Sequence, residues 1–122
     1  MARITHFDIS GEKPEKLVAF YEKIFKWKFE KWESPEMEYW MISTGPKEKP
    51  GIDGGLSRRQ KDNYVVNTIE VDDIDKAIKQ IKENGGAVLM DKTPIPGVGW
   101  YSNFEDPEKN ILGLLQPDTN AK

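Results

Sequence analysis

Apolar and polar residues alternate singly along residues 4–9, which places Thr5, Phe7 and Ile9 on one face of an extended segment and Ile4, His6 and Asp8 on the other. That pattern predicts a half-buried strand. The period then lengthens: Leu17, Phe20, Tyr21, Ile24 and Phe25 recur at the three-and-four spacing of a single helical stripe. Pro14 suits the first turn of that helix, where its missing N–H would be unpaired in any case. Strand patterns follow over residues 27–32, 38–44 and 52–57, separated by Ser34-Pro35, Gly45-Pro46 and Lys49-Pro50-Gly51. The first half therefore reads β, α, β, β, β.

The second half repeats this order. Residues 64–71 form a β-branched run, Asp72 or Asp73 can cap a helix, and Ile74, Ala77, Ile78 and Ile81 mark its apolar face up to Asn84-Gly85-Gly86. Three further strands are predicted over 87–91, 100–104 and 111–115, with Pro94, Pro96-Gly97, Gly99 and Asp106-Pro107 between them. The repeat also shows in residues: Gly45-Pro46 before Ile52-Asp53-Gly54-Gly55-Leu56 parallels Asp106-Pro107 before Ile111-Leu112-Gly113-Leu114-Leu115, which lays Gly54 on Gly113. The predicted fold class is α+β, with tandem βαβββ repeats (about 3–58 and about 63–117) forming a mixed-sheet open half-barrel under outer helices, in one domain over 1–122.

Composition narrows the function. Charged residues reach 32% but are mixed in sign, and the formal net charge of -3 provides no basic field for nucleic acid or an anionic membrane. With no cysteine, disulfides, thiolate ligands and a cysteine nucleophile are excluded together. The first residues lack a signal-peptide core, and no run approaches the roughly 18 apolar residues of a membrane span. A soluble protein of the cytoplasm is expected, with neither nucleic acid nor membrane as partner.

Several segments together resemble the vicinal oxygen chelate superfamily, which includes glyoxalases, bleomycin-resistance proteins and dioxygenases. They are Ile4-Thr5-His6-Phe7-Asp8-Ile9, Phe20-Tyr21 with Phe25-Lys26-Trp27, Ile69 through Asp75, Gly85-Gly86, and Phe104 through Asn110. The resemblance runs from about residue 4 to residue 116 and is strongest to predicted glyoxalase-related single-domain proteins. Those carry Phe-Gly-Trp where this chain has Phe25-Lys26-Trp27, and a Gly-Gly pair matching Gly54-Gly55. Asp106-Pro107-Glu108 reads as a turn, and Phe20-Tyr21 as helix core.

The resemblance implies where a metal would sit, because metal-dependent members carry a histidine or carboxylate on strands one, four, five and eight. His6 matches the first place. The strand-five place falls on Val66 or Thr68, and the repeat alignment puts Gly54 and Gly113 at the other two. His6 is also the only histidine. No conventional metal site and no cofactor are expected.

Strand parity sends His6 and Asp8 into the cleft, and likewise Thr68 and Glu70. This collects an imidazole and two carboxylates that could act as acid or base, or simply line a hydrated groove. Trp40, Trp100 and Tyr101, on the third strand of each repeat, could wall a pocket for an apolar or aromatic ligand, and core packing explains them equally well. Trp27 and Trp32 read as packing or dimer contacts, and Arg58-Arg59 with Lys61 as a solvated basic cluster.

Two functions compete. One is a homodimer that binds a small apolar or aromatic molecule in the cleft between repeats, as the resemblance to antibiotic-sequestering members implies. The other is an enzyme with lyase-like or dioxygenase-like activity, using an atypical metal site near His6 or acid–base chemistry by Asp8 and Glu70.

Overall fold

The computed structural model describes residues 2–33, 38–59 and 65–122. Among them the order is β1 (Arg3–Gly11), α1 (Pro14–Phe25), β2 (Lys28–Lys31), β3 (Tyr39–Ser43), β4 (Asp53–Arg58), β5 (Val65–Glu70), α2 (Ile74–Glu83), β6 (Ala87–Ile95), β7 (Gly99–Glu105) and β8 (Ile111–Pro117). This is the doubled βαβββ order of an α+β fold. Contacts divide the chain into a first unit, His6–Val66, and a second, Asn67–Lys122 with Met1–Thr5. Lys61, Tyr64 and the Ser34-Pro35 turn lie outside the described residues. No helix among the described residues is long and apolar enough to cross a membrane.

In the first unit the strand order is β2-β3-β4-β1, with β1 and β4 parallel and the other pairs antiparallel. Trp40, Ile42 and Leu56 are buried at its core against Phe7, Ile9, Leu17, Val18, Trp27 and Phe29. Alternation along β3 explains the sidedness: Trp40 and Ile42 turn towards the helix, and Tyr39, Met41 and Ser43 point the other way.

Helix α1 carries Pro14 in its first turn, an acidic Glu15 there and a basic Lys23 in its last, both complementing the helix dipole. It ends at Lys26, whose φ of 61° is left-handed. This reversal lays Trp27 back on the helix, stacked on Tyr21 at 4.9 Å and tilted against Phe7 at 5.8 Å. The buried stripe differs from the predicted one. Leu17, Val18 and Tyr21 face inward, but Phe20, Ile24 and Phe25 are 50%, 51% and 57% exposed. Phe20 is therefore not helix core, because the helix sits rotated towards Val18.

In the second unit the order is β5-β8-β7-β6, again with one parallel pair, β5 with β8. Asp73 caps α2 by accepting from the Lys76 N–H at 3.0 Å, and the Gln116 side chain accepts from the Ile74 N–H at 2.9 Å. Ile74, Ala77, Ile78 and Ile81 pack on Val71, Leu114, Trp100 and Phe104, the face that their spacing predicts. Strand β6 runs on through Pro94 to Ile95, beyond the predicted 87–91. It lies at the margin of its unit's sheet, where a residue without an N–H leaves no ladder bond broken, and register shifts flank Met90.

Candidate functional site

His6 and Asp8 sit two residues apart on β1, so both leave the face opposite α1. They meet Tyr39 there. The Tyr39 hydroxyl donates to Asp8 Oδ1 at 2.7 Å and lies 3.0 Å from His6 Nε2, which is itself 3.4 Å from the same carboxylate oxygen. A phenol has a single proton, so a hydroxyl that donates to Asp8 can only accept from the imidazole. The network therefore assigns the proton to Nε2. The His6 and Asp8 side chains remain 35% and 28% exposed, within reach of a solute. Trp32 adds a second ring, edge-on to Tyr39 at 6.0 Å.

Gly55 makes this arrangement possible. It pairs with Asp8 on one side and Met41 on the other, and a Cβ there would run into the hydroxyl, Cζ and Cε1 of Tyr39. Gly54 points the opposite way, where a Cβ would meet the Phe7 carbonyl and ring. The glycine on the His6 face is thus Gly55, and the sequence alignment of Gly54 with Gly113 is off by one residue.

The second unit repeats the device. Thr68 pairs with Gly113, which pairs with Asn103, and a Cβ on Gly113 would lie 2.6 Å from the Tyr101 hydroxyl and 2.7 Å from Thr68 Oγ1. Strand register equates Tyr39 with Tyr101, Gly55 with Gly113 and Asp8 with Thr68. Thr68 Oγ1 and Asn103 Oδ1 are both buried with no hydrogen-bond partner. Glu70 shares the parity of Thr68 and is partly buried.

The other singled-out residues fall elsewhere. Trp40 is 8% exposed within the helix-side core, with Lys31 Nζ 5.0 Å from its ring centre. Trp100 packs on the second unit's core and donates from Nε1 to Asp118 at 3.2 Å. Both rings leave the face opposite to Tyr39 and Tyr101 and pack on the helix-side cores. Arg58 bonds Glu38 and the Glu12 carbonyl, and Arg59 bonds the Ser10 carbonyl. The Arg58 hydrogen bond holds the Glu38 carboxyl below its ordinary range. Asp106 accepts from the Glu108 and Asn110 amides and from the Asn110 side chain, and is held low chiefly by those Asn110 bonds. It is a turn residue.

Sequence reading missed Tyr39 and gave Trp32 to packing or dimer contacts. The signal was there: with Trp40 and Ile42 as the apolar members of β3, parity puts Tyr39 on the face of His6.

The doubled unit places the chain among proteins of one known α+β architecture. A methylmalonyl-CoA epimerase in complex with methylmalonyl-CoA and NH4+ superposes with a TM-score of 0.70 at 16% identity, over 100% of this chain and 99% of that one. A Streptomyces coelicolor methylmalonyl-CoA epimerase in complex with 2-nitronate-propionyl-CoA gives 0.69 at 16% identity, over 98% and 97%. A hypothetical protein from Bacillus halodurans C-125 gives 0.70 at 17%, over 99% and 98%. At these identities the likeness shows the fold. No curated protein matches the chain. The chain belongs to the Glyoxalase/Bleomycin resistance protein/Dioxygenase superfamily, whose model matches residues 3–114.

The donor set that the superfamily resemblance implies does not fit these residues. On β4 the His6 face carries Asp53, which pairs with His6 but whose carboxylate accepts from the Thr44 N–H at 2.9 Å, and Gly55, whose side-chain space the Tyr39 hydroxyl fills; on β8 the place is Gly113, and β5 presents Val66 and Thr68. Among the described residues no three of His, Cys, Asp and Glu are grouped to hold an ion.

Proposed function

We propose that this protein binds a small apolar or aromatic molecule bearing a hydrogen-bonding group, without the superfamily's four-strand metal site. The observation that carries this reading is the His6–Tyr39–Asp8 triangle set beside the Trp32–Tyr39 ring pair. Two aromatic faces and the exposed Met41 supply apolar surface, while Asp8 and the imidazole supply an acceptor and a titratable nitrogen. Such a mixture favours a flat ligand with one polar end.

Titration of the purified chain with aromatic acids, phenols and acyl-CoA thioesters, read by tryptophan fluorescence, tests it. Saturable quenching that is lost in Trp32→Phe and weakened in Asp8→Asn is expected. A flat response across the whole panel sinks the proposal.

The hydrogen-bonded triangle also favours a second reading, acid–base chemistry on an acyl thioester, since the imidazole, phenol and carboxylate can pass a proton among them. The epimerase structures are named for such a substrate. Exchange of the methylmalonyl-CoA C2 proton for solvent deuterium, abolished by His6→Gln, would support it, and its absence would leave binding alone. We further propose a cytoplasmic homodimer, checked by sedimentation and by cell fractionation.

A further inference from the structure

The three polar atoms at this site are grouped in a way that a relay chain would not need. In a linear relay the two ends stand apart, whereas here His6 Nε2, Tyr39 Oη and Asp8 Oδ1 close a triangle with sides of 3.0, 2.7 and 3.4 Å. For bonds of about 2.0–2.1 Å, neighbouring donors stand about 3.0 Å apart in an octahedron and about 3.3 Å apart in a tetrahedron. All three sides fall in or near that range, and an ion about 1 Å above the plane would reach every donor at about 2.1 Å.

The geometry points to a metal site formed by His6, Asp8 and Tyr39 within the first unit, for one first-row transition-metal ion that takes nitrogen and oxygen donors. It uses two residues of β1 and one of β3, and only His6 is shared with the superfamily's four-strand set. The three ligand atoms are already grouped, each proton between them to be given up on loading. β1 holds His6 and Asp8 two residues apart, and Gly55 seats the phenol between them. The partial exposure of His6 and Asp8 leaves the outer coordination positions open to water or a ligand.

Loading is an exchange. The Tyr39 O–H bond breaks, its electron pair forms the bond to the ion, and the proton passes to the buffer; the His6 ring gives up its Nε2 proton and takes one up at Nδ1, which frees the Nε2 electron pair for the ion with no net change in the protons that the imidazole holds. Phenols ordinarily titrate near about 10, so at neutral pH about one proton leaves per ion bound, and affinity rises with pH. An imidazole with a carboxylate and a phenolate suits iron(III) or zinc better than calcium or magnesium, which prefer oxygen alone.

The site shares side chains with the proposed small-molecule site but does not rest on it: fluorescence titration with a chelator present reads only the organic ligand, and metal titration without that ligand reads only the ion. Chelator-stripped protein is titrated with zinc by calorimetry in two buffers of different ionisation enthalpy, and with iron(III) by visible absorption. Saturation at one ion per chain is expected, with about one proton released and a phenolate-to-iron band. Tyr39→Phe keeps the ring but removes the oxygen; it should abolish band and proton release and weaken binding by about tenfold or more, and Asp8→Asn should weaken it similarly. Circular dichroism and thermal unfolding check both variants. Should Tyr39→Phe fail to fold, the wild-type ultraviolet tyrosinate difference spectrum on zinc addition decides: its appearance at one equivalent supports the site, and its absence overturns it. No saturable uptake, or a folded Tyr39→Phe that binds as wild type does, also overturns the site.

Discussion

Lys26 occupies a backbone conformation that most side chains avoid. Its φ of 61° ends α1, and its ammonium returns to the Lys23 carbonyl at 3.1 Å, a weak return for an exposed pair. Replacing it with glycine removes the Cβ strain, so Lys26→Gly should stabilise the fold by about 1 kcal/mol, read from the urea midpoint. A lower midpoint would show that the lysine contributes more than its strain. Asp106 yields a pH prediction. Its carboxyl is held low by the Asn110 side chain and by two amides, so the contribution is present above the ordinary aspartate value of about 3.9 and is lost as pH falls through the depressed one. The stability difference between wild type and Asp106→Ala should therefore be level near neutrality and shrink only in acid. A difference that shrinks well above pH 5 would contradict the assignment.

At the scale of elements, the sequence made the order plain because helices and strands carry different periods, and it left sidedness partly hidden. The α1 stripe of five apolar residues is about as wide as the helix can bury, and spacing alone does not say which edge meets the sheet. Phe20 and Ile24 fell outside, while Val18, absent from the predicted stripe, fell within. Leu17→Ala should accordingly cost about 1–3 kcal/mol. Phe20→Ser should stay within about 0.5 kcal/mol despite removing a larger side chain. Equal losses in chemical denaturation would mean that Phe20 is covered. β3 shows the opposite case, where the information was present but overridden: Trp40 and Ile42 alternate with Tyr39, Met41 and Ser43, so the tryptophan was marked for the core by its neighbours. β6 was under-read because Pro94 looks like a stop, and only a strand's place in a sheet tells whether its N–H is wanted.

Across the whole molecule, the doubled βαβββ order was legible, and the repeat alignment was correct to within one residue. That residue mattered. A Gly-Gly pair offers no side chain to anchor an alignment, and only the pairing of Asp8 with Gly55, beside that of Thr68 with Gly113, resolves it. The two copies then differ in chemistry while sharing a frame. One places a carboxylate and an imidazole beside its tyrosine; the other places a threonine whose hydroxyl is buried and unpartnered.

The glycine beneath each tyrosine also constrains how such a chain can change over generations. A side chain at Gly55 and the ring of Tyr39 claim one volume, since the three nearest atoms to an added Cβ all belong to Tyr39. The two positions are therefore energetically coupled. Gly55→Ala alone should cost about 1–3 kcal/mol by evicting the ring, and in a Tyr39→Ser background most of that cost should vanish, a coupling that a double-mutant cycle reads directly. Additive losses would refute it. A lineage that carries a side chain at this place on the fourth strand and one that carries a tyrosine over glycine are then joined by an ordered path, on which the tyrosine is lost before the glycine is replaced.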